Sequence, residues 1–232
     1  DEAWKYLRFS TILINRVFSF SNDPFNFLDD DYNIDFSRQL QFFSALYLLY
    51  ADISSLNQTH NSYLQCHMAI SSIEKFSNIV MGRVASSASY QKKKTLKERN
   101  FAHILLSTST KDTLISIIKE FSPETDCIIH TSIIDFIEIT YEKFHAKLSD
   151  MFGLDERKNI AKFYEYRKFF AHGTFLKNDQ FNRVFFETSA KMPFEIIYIP
   201  YCLLIALSCN PAGFFSFFED EAGKYDYSLY KN

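Results

Sequence analysis

Glycine and proline are scarce in this chain, with five of each among 232 residues, about 2% apiece where about 7% and 5% are usual. Few breakers mean long, uninterrupted elements. Cysteine offers no scaffold either: Cys66, Cys127, Cys202 and Cys209 are scattered, and no two stand at C-x-x-C spacing. That pattern indicates neither a zinc site nor a disulfide framework, and leaves buried thiols in a reducing cytoplasm as the expectation. No sign of charge dominates. A net charge of −3 gives no global pull toward nucleic acid, so any RNA contact must come from a local basic patch. Lys92, Lys93, Lys94, Lys97 and Arg99 form the best candidate, and a solvated loop or helix face is its plainer reading. A long apolar run is missing too. The stretch from Ile196 to Cys209 is interrupted by Pro200 and falls short of the roughly 20 residues a spanning helix needs, so it reads as a core segment, with no membrane partner. No signal peptide opens the chain, and a first residue Asp1 in place of Met suggests trimming or excision from a longer protein.

What is abundant is aromatic. Twenty-six Phe and 14 Tyr provide more aromatic area than one modest core requires, which places some of it at an interface. Apolar residues at helical spacing (Trp4, Leu7, Ile12, Leu13, Val17) mark a helix over Glu2 to Phe20, followed by an acidic loop from Ser21 to Asn33. Asp29, Asp30 and Asp31 invite a metal, but successive carboxylates converge on one ion only where a turn folds them, and no glycine is placed to do so. A second helix runs from Asp35, as N-cap, to Gln58 through Phe36, Leu40, Phe43, Leu46, Tyr47 and Tyr50. A third spans about Thr59 to Val84 and carries His60 and His67, two turns apart and too far from each other to share a metal.

After a Ser-rich, then Lys-rich stretch at 85 to 99, helical spacing returns over Phe101 to Phe121, at least in its second half where Leu114, Ile117, Ile118 and Phe121 repeat, then over Asp126 to Met151 (ended by Gly153) and over Asp155 to His172, with Asp155 as N-cap or first-turn acid. Beyond Gly173 the pattern changes. Arg183 to Thr188 and Phe194 to Pro200 have the β-branched and aromatic content of a hairpin, Tyr201 to Ser208 reads as a short helix, and the tail after Asn210-Pro211 as irregular. The architecture expected is a single all-α helical bundle over 1–232, with a small β-hairpin at 182–200 near the C-terminus.

The run Arg167-Lys-Phe-Phe-Ala-His172-Gly173 closes the helix that starts at Asp155. It joins a planar, permanently charged fork of donors that fits phosphate to the side chain that titrates nearest neutral pH. As Arg-x4-His followed by Gly at a helix end, it resembles the active-site motif of the HEPN superfamily of helical ribonucleases. The resemblance covers the motif and its helical setting, about 126 to 173. It implies a metal-independent endoribonuclease with no cofactor, in which the RNA 2′-hydroxyl attacks the adjacent phosphate and leaves a 2′,3′-cyclic phosphate. Arg167 and His172 would be catalytic, the Arg holding the phosphate and the His relaying a proton, while Lys168 and Tyr166 would touch substrate. On an ideal helix Arg167 and His172 stand about 140° apart around the axis and about 7.5 Å along it, so they cannot both face one small group while the helix stays regular. The family answer is a homodimer with a composite cleft, and a place in the last turn should favour His172 imidazolium.

Two departures stand out. Many relatives have Asn after the Arg, where this chain has Lys168; those regulated by nucleotidyl transfer carry Tyr two residues after the His, where this chain has Thr174. In the plainer reading Arg167 pairs with Glu165 or Glu138 and His172 caps carbonyls at the helix end. Glu138 and Glu142 are candidates to orient the Arg from the preceding helix. The function expected is thus an RNA-cutting toxin or defence effector of the cytoplasm, with an antitoxin or sensor as partner. The alternative is a catalytically inactive helical module that binds RNA or protein, and a third reading is a metal-dependent nuclease built on residues 29 to 31.

Overall fold

The computed structural model describes residues 2–28, 31–81, 102–120, 127–172 and 193–224. The protein is all-α, and among the described residues no strand forms, only a single antiparallel bridge between Leu28 and Ile34. Helix α1 (Glu2–Asn22) leads through a 3-10 turn at Pro24–Phe27, started by the Asp23 carboxylate accepting from the Phe25 amide, into α2 (Phe36–Gln58). Asp35 is the N-cap expected of it: its carboxylate accepts from the Arg38 amide at 3.0 Å, satisfying one of the orphan donors of the first turn. Phe27 of the turn is buried against Phe42 of α2, and Phe20 of α1 packs on both, with ring centroids 4.9 Å from Phe42 and 5.4 Å from Phe27. That aromatic corner fixes how the acidic loop leaves α1.

Helix α3 (Ser62–Met81) starts three residues later than its apolar spacing suggests, because Asn61 accepts from the Tyr63 and Leu64 amides and so acts as its cap. His60 therefore stands outside the helix that carries His67, and the two do not share a stripe. The segment from Phe101 to Phe121 is helical in its second half, as its repeat from Leu114 suggests, and a break separates that helix from a shorter turn before it. A helical turn at 102–105 ends at Leu106, and Ser107 caps a fresh helix, α4 (Thr108–Lys119), by accepting from the Thr110 amide. Helix α5 (Cys127–Phe152) stops at Gly153, whose φ of 63° is a left-handed conformation that glycine adopts without a side-chain clash, and its amide donates to the Ser149 carbonyl. Two residues on, Asp155 caps α6 (Glu156–His172) by accepting from the Lys158 amide at 3.0 Å.

The C-terminal part departs from the hairpin. Phe194 to Pro200 is a 3-10 helix (Phe194–Tyr198) that runs into α7 (Ile199–Cys209); the partner strand at 183–188 lies outside the described residues. Pro200 decides the matter, since it sits in the first turn of α7, where a missing N–H costs nothing and the fixed φ suits a helix. Pro211 acts the same way. The tail expected to be irregular is helix α8 (Pro211–Lys224), with Pro211 opening it and the Asn210 side chain accepting from the Gly213 amide.

Helix α7 is the central post, with α1, α2, α3, α4, α5 and α8 all packed against it. Eight of its eleven residues are buried, among them Cys202, Leu203, Ala206 and Leu207 with no accessible surface. The apolar segment is thus core, as expected, and it bends by 118° where it meets α8. No single described helix is long and apolar enough to cross a membrane. Cys66 and Cys209 are buried, and burial pushes both thiols up to about 12; for Cys66 the Glu195 carboxylate adds to it. Cys202 is buried and raised for the same reason. These thiols stay protonated and inert.

Candidate functional site

Helix α6 carries every residue singled out for catalysis or substrate contact, and it is held between α3 and α5. Its first half is firmly seated. Asn159, Ile160, Phe163 and Tyr164 are buried, Phe163 meets Phe144 of α5 edge-on at 5.6 Å, and the Tyr164 ring lies 4.4 Å from His103. Asn159 also closes the α5–α6 turn, its side-chain amide donating to the Leu154 carbonyl at 2.8 Å and its oxygen accepting from the Leu154 amide.

Tyr166, Arg167, Lys168 and His172 occupy the last two turns of this same helix, and their side chains lie outside the described residues. Gly173 and Thr174 lie outside them altogether, as do Asp29, Asp30 and the basic patch of Lys92, Lys93, Lys94, Lys97 and Arg99. Helical register still separates the two motif residues. Arg167 follows Ile160 by two turns and Phe163 and Tyr164 by one, so its position is in register with the stripe that those three form. His172 falls on the other side of the helix, about 150° from that stripe. The helix remains regular to His172, so the 140° between the two residues is not removed by an early end. On α5, Glu138 is half-buried and Glu142 exposed.

No family model, curated protein or solved structure matches this chain.

A polar cluster not foreseen from the sequence gathers where α4, α5 and α6 meet. Glu156, the first residue of α6, accepts from the Thr108 amide at 2.8 Å and from the Thr108 hydroxyl, so its carboxylate caps a helix 48 residues away in sequence. A carboxylate there also faces the positive end of the α4 dipole. His145 of α5 donates to the Leu106 carbonyl, while its Nε2 is buried with no hydrogen-bond partner. Burial lowers the His145 pKa, Glu156 opposes that, and Lys111 works in the same direction as burial. Lys111 is itself largely covered, with Nζ 3.4 Å from the Asp112 carboxylate. Nearby, the Tyr141 hydroxyl, fully buried, donates to the Leu105 carbonyl at 2.9 Å, serving the other end of the break between the 102–105 turn and α4.

These groups come from three helices and their sequence neighbours are ordinary, so no local spacing announces them. Their geometry is that of a structural clasp: two carbonyls and an amide at a broken helix are matched by a hydroxyl, an imidazole and a carboxylate from the two long helices behind it. His103 is half-buried beside Tyr164, and the loss of solvent around it lowers its pKa to about 4, so it is neutral at physiological pH. Among the described residues no three His, Cys, Asp or Glu side chains gather so that they could hold a metal ion.

Proposed function

We propose that the chain is a metal-independent endoribonuclease of HEPN type. The observation that supports the reading is that Arg167 and His172 stand in the closing turns of a long helix whose start is fastened by Asp155, Glu156 and Asn159. A helix anchored at one end and bearing Arg-x4-His at the other is a rigid support for phosphate chemistry. In the reaction, the 2′-oxygen of RNA bonds to the adjacent phosphorus and the bond from phosphorus to the 5′-oxygen breaks. His172 relays the proton from the 2′-hydroxyl toward the departing 5′-oxygen, and Arg167 stabilises the charge that grows on the phosphate oxygens. Lys168 and Tyr166 contact the substrate backbone and a base.

The angular separation of Arg167 and His172 on one helix calls for a second copy, so the active form in this reading is a homodimer with a composite cleft. The setting that suits such an activity is a cytoplasmic toxin or defence effector restrained by an antitoxin or sensor. The second reading, an RNA- or protein-binding module without chemistry, draws on Lys168 where many relatives have Asn.

The deciding experiment is cleavage of mixed single-stranded RNA in EDTA, comparing the parent with Arg167→Ala and His172→Ala and identifying the product ends. Ends bearing 2′,3′-cyclic phosphate that vanish in both variants, with helicity by circular dichroism unchanged, support the enzyme. A folded protein that binds RNA or a partner protein and cuts none of several RNAs supports the module.

A further inference from the structure

Helix α2 is apolar on two sides. Its inward side buries Phe42, Ala45, Leu49, Ile53 and Leu56 against the bundle. Its outward side presents Phe36 (72% exposed), Leu40 (68%), Phe43 (43%), Tyr47 (73%) and Tyr50 (68%) to solvent. These five recur at intervals of four, three, four and three, the spacing of a heptad seam, and they span about 21 Å along the helix. A helix that is apolar on opposite sides belongs between two layers, and among the described residues only one layer is present.

We infer that this stripe is a docking surface for a second copy of the chain, the two α2 helices pairing antiparallel across a two-fold axis at Phe43. Three observations select that occupant. The seam is self-complementary in length and spacing, so an identical helix fills it knob into hole. At roughly 200 Å² per aromatic side chain and the exposures above, each copy contributes about 600 Å², or about 1,200 Å² for the pair, which reaches the lower bound of specific interfaces. The partly exposed positions flanking the seam (Gln39, Ser44, Ala51) carry no charge, so two copies meet without like-charge repulsion. Arg38 and Asp52 are the charges within α2, both off the seam, and one cation provides no basic flank of the kind that holds a helix on an anionic membrane. The antiparallel sense opposes the helix dipoles and sets Phe36 against Tyr50 at each end, leaving the Tyr50 hydroxyls at the wet rim. This pairing stands on exposure and spacing alone and is independent of the ribonuclease reading.

The test is the mass of the full chain in solution across a concentration series, by sedimentation or light scattering. A dimer is expected, with Leu40→Glu and Tyr47→Glu each raising its dissociation constant by about a hundredfold, since every dimer carries two altered sites, while the circular dichroism spectrum holds. Under mild oxidation Phe43→Cys should give a disulfide-linked dimer. Phe36→Cys and Tyr50→Cys should link only when both are present in one chain. A monomer at every concentration overturns the proposal. So does a dimer that both Glu variants leave intact, a Phe36→Cys chain that links to itself, or a monomer that binds phosphatidylcholine vesicles through Tyr47.

Discussion

Helices α7 and α2 are both strongly apolar, and the bundle treats them differently. Among the described residues the first is enclosed on nearly every side by six other helices, whereas the second is enclosed on one side and exposed on the other. Apolar content therefore marks which surfaces are meant to be covered without saying by what. For α7 the cover is the rest of the chain; for α2 half of the cover lies elsewhere. The five outward residues of α2 look, by composition, like any others in the core.

The sharpest way to break that contrast is truncation. Leu203→Ala, at a position with no accessible surface in α7, should cost about 2–5 kcal/mol of stability in urea titrations, because it removes contacts and leaves a cavity inside the post. A loss below about 1 kcal/mol would mean that α7 is not the rigid centre. Acid should act on the same core from another direction. His103 is held near 4 when folded against about 6.5 when unfolded, so below pH 6.5 the unfolded chain takes up the proton first. Stability should be full above pH 6.5 and fall as the pH drops toward 4, by about 3 kcal/mol from this residue, with His145 adding in the same direction. A His103→Phe variant should flatten that slope, and an unchanged slope would move the acid sensitivity elsewhere.

A smaller effect is expected where α7 hands over to α8. Asn210→Ala removes the acceptor for the Gly213 amide and should cost about 1 kcal/mol by thermal melting. Gly213→Ala should do similar harm, since a Cβ there would come within 2.6 Å of the Asn210 side-chain nitrogen. The smallest change belongs to α2: in solutions dilute enough to keep the chain monomeric, Leu40→Ala should shift stability by less than about 0.5 kcal/mol, though it removes as much hydrocarbon as Leu203→Ala. The ratio between the two leucines measures how completely each side of the molecule is covered.

The all-helical fold was legible because its signals are local. Asp35 and Asp155 as caps and Gly153 as a stop are read from one or two turns of chain, and each takes that role in the structure. The errors came where one residue type carries two meanings. Proline read as a breaker at 200 and 211 is a helix opener at both, and Phe194 to Pro200, β-branched enough for a strand, is turned helical by its neighbours in space. The break at Ser107 leaves no apolar signal, because 107 to 113 hold no apolar residue and the helical repeat is legible only from Leu114 on. At the candidate site, the helix bearing Arg167 and His172 was readable to within a residue, whereas the clasp of Glu156, His145 and Lys111 joins helices far apart in sequence and leaves no pattern along it.

The reach of Glu156 across 48 residues has a use in time as well as in space. The Thr108 amide has its acceptor only while the start of α6 is docked, so its hydrogen should exchange with solvent whenever that helix lifts away, even briefly. Deuterium uptake at Thr108 thus serves as a built-in clock for the opening of the motif-bearing helix, read from a residue that takes no part in whatever happens at its far end.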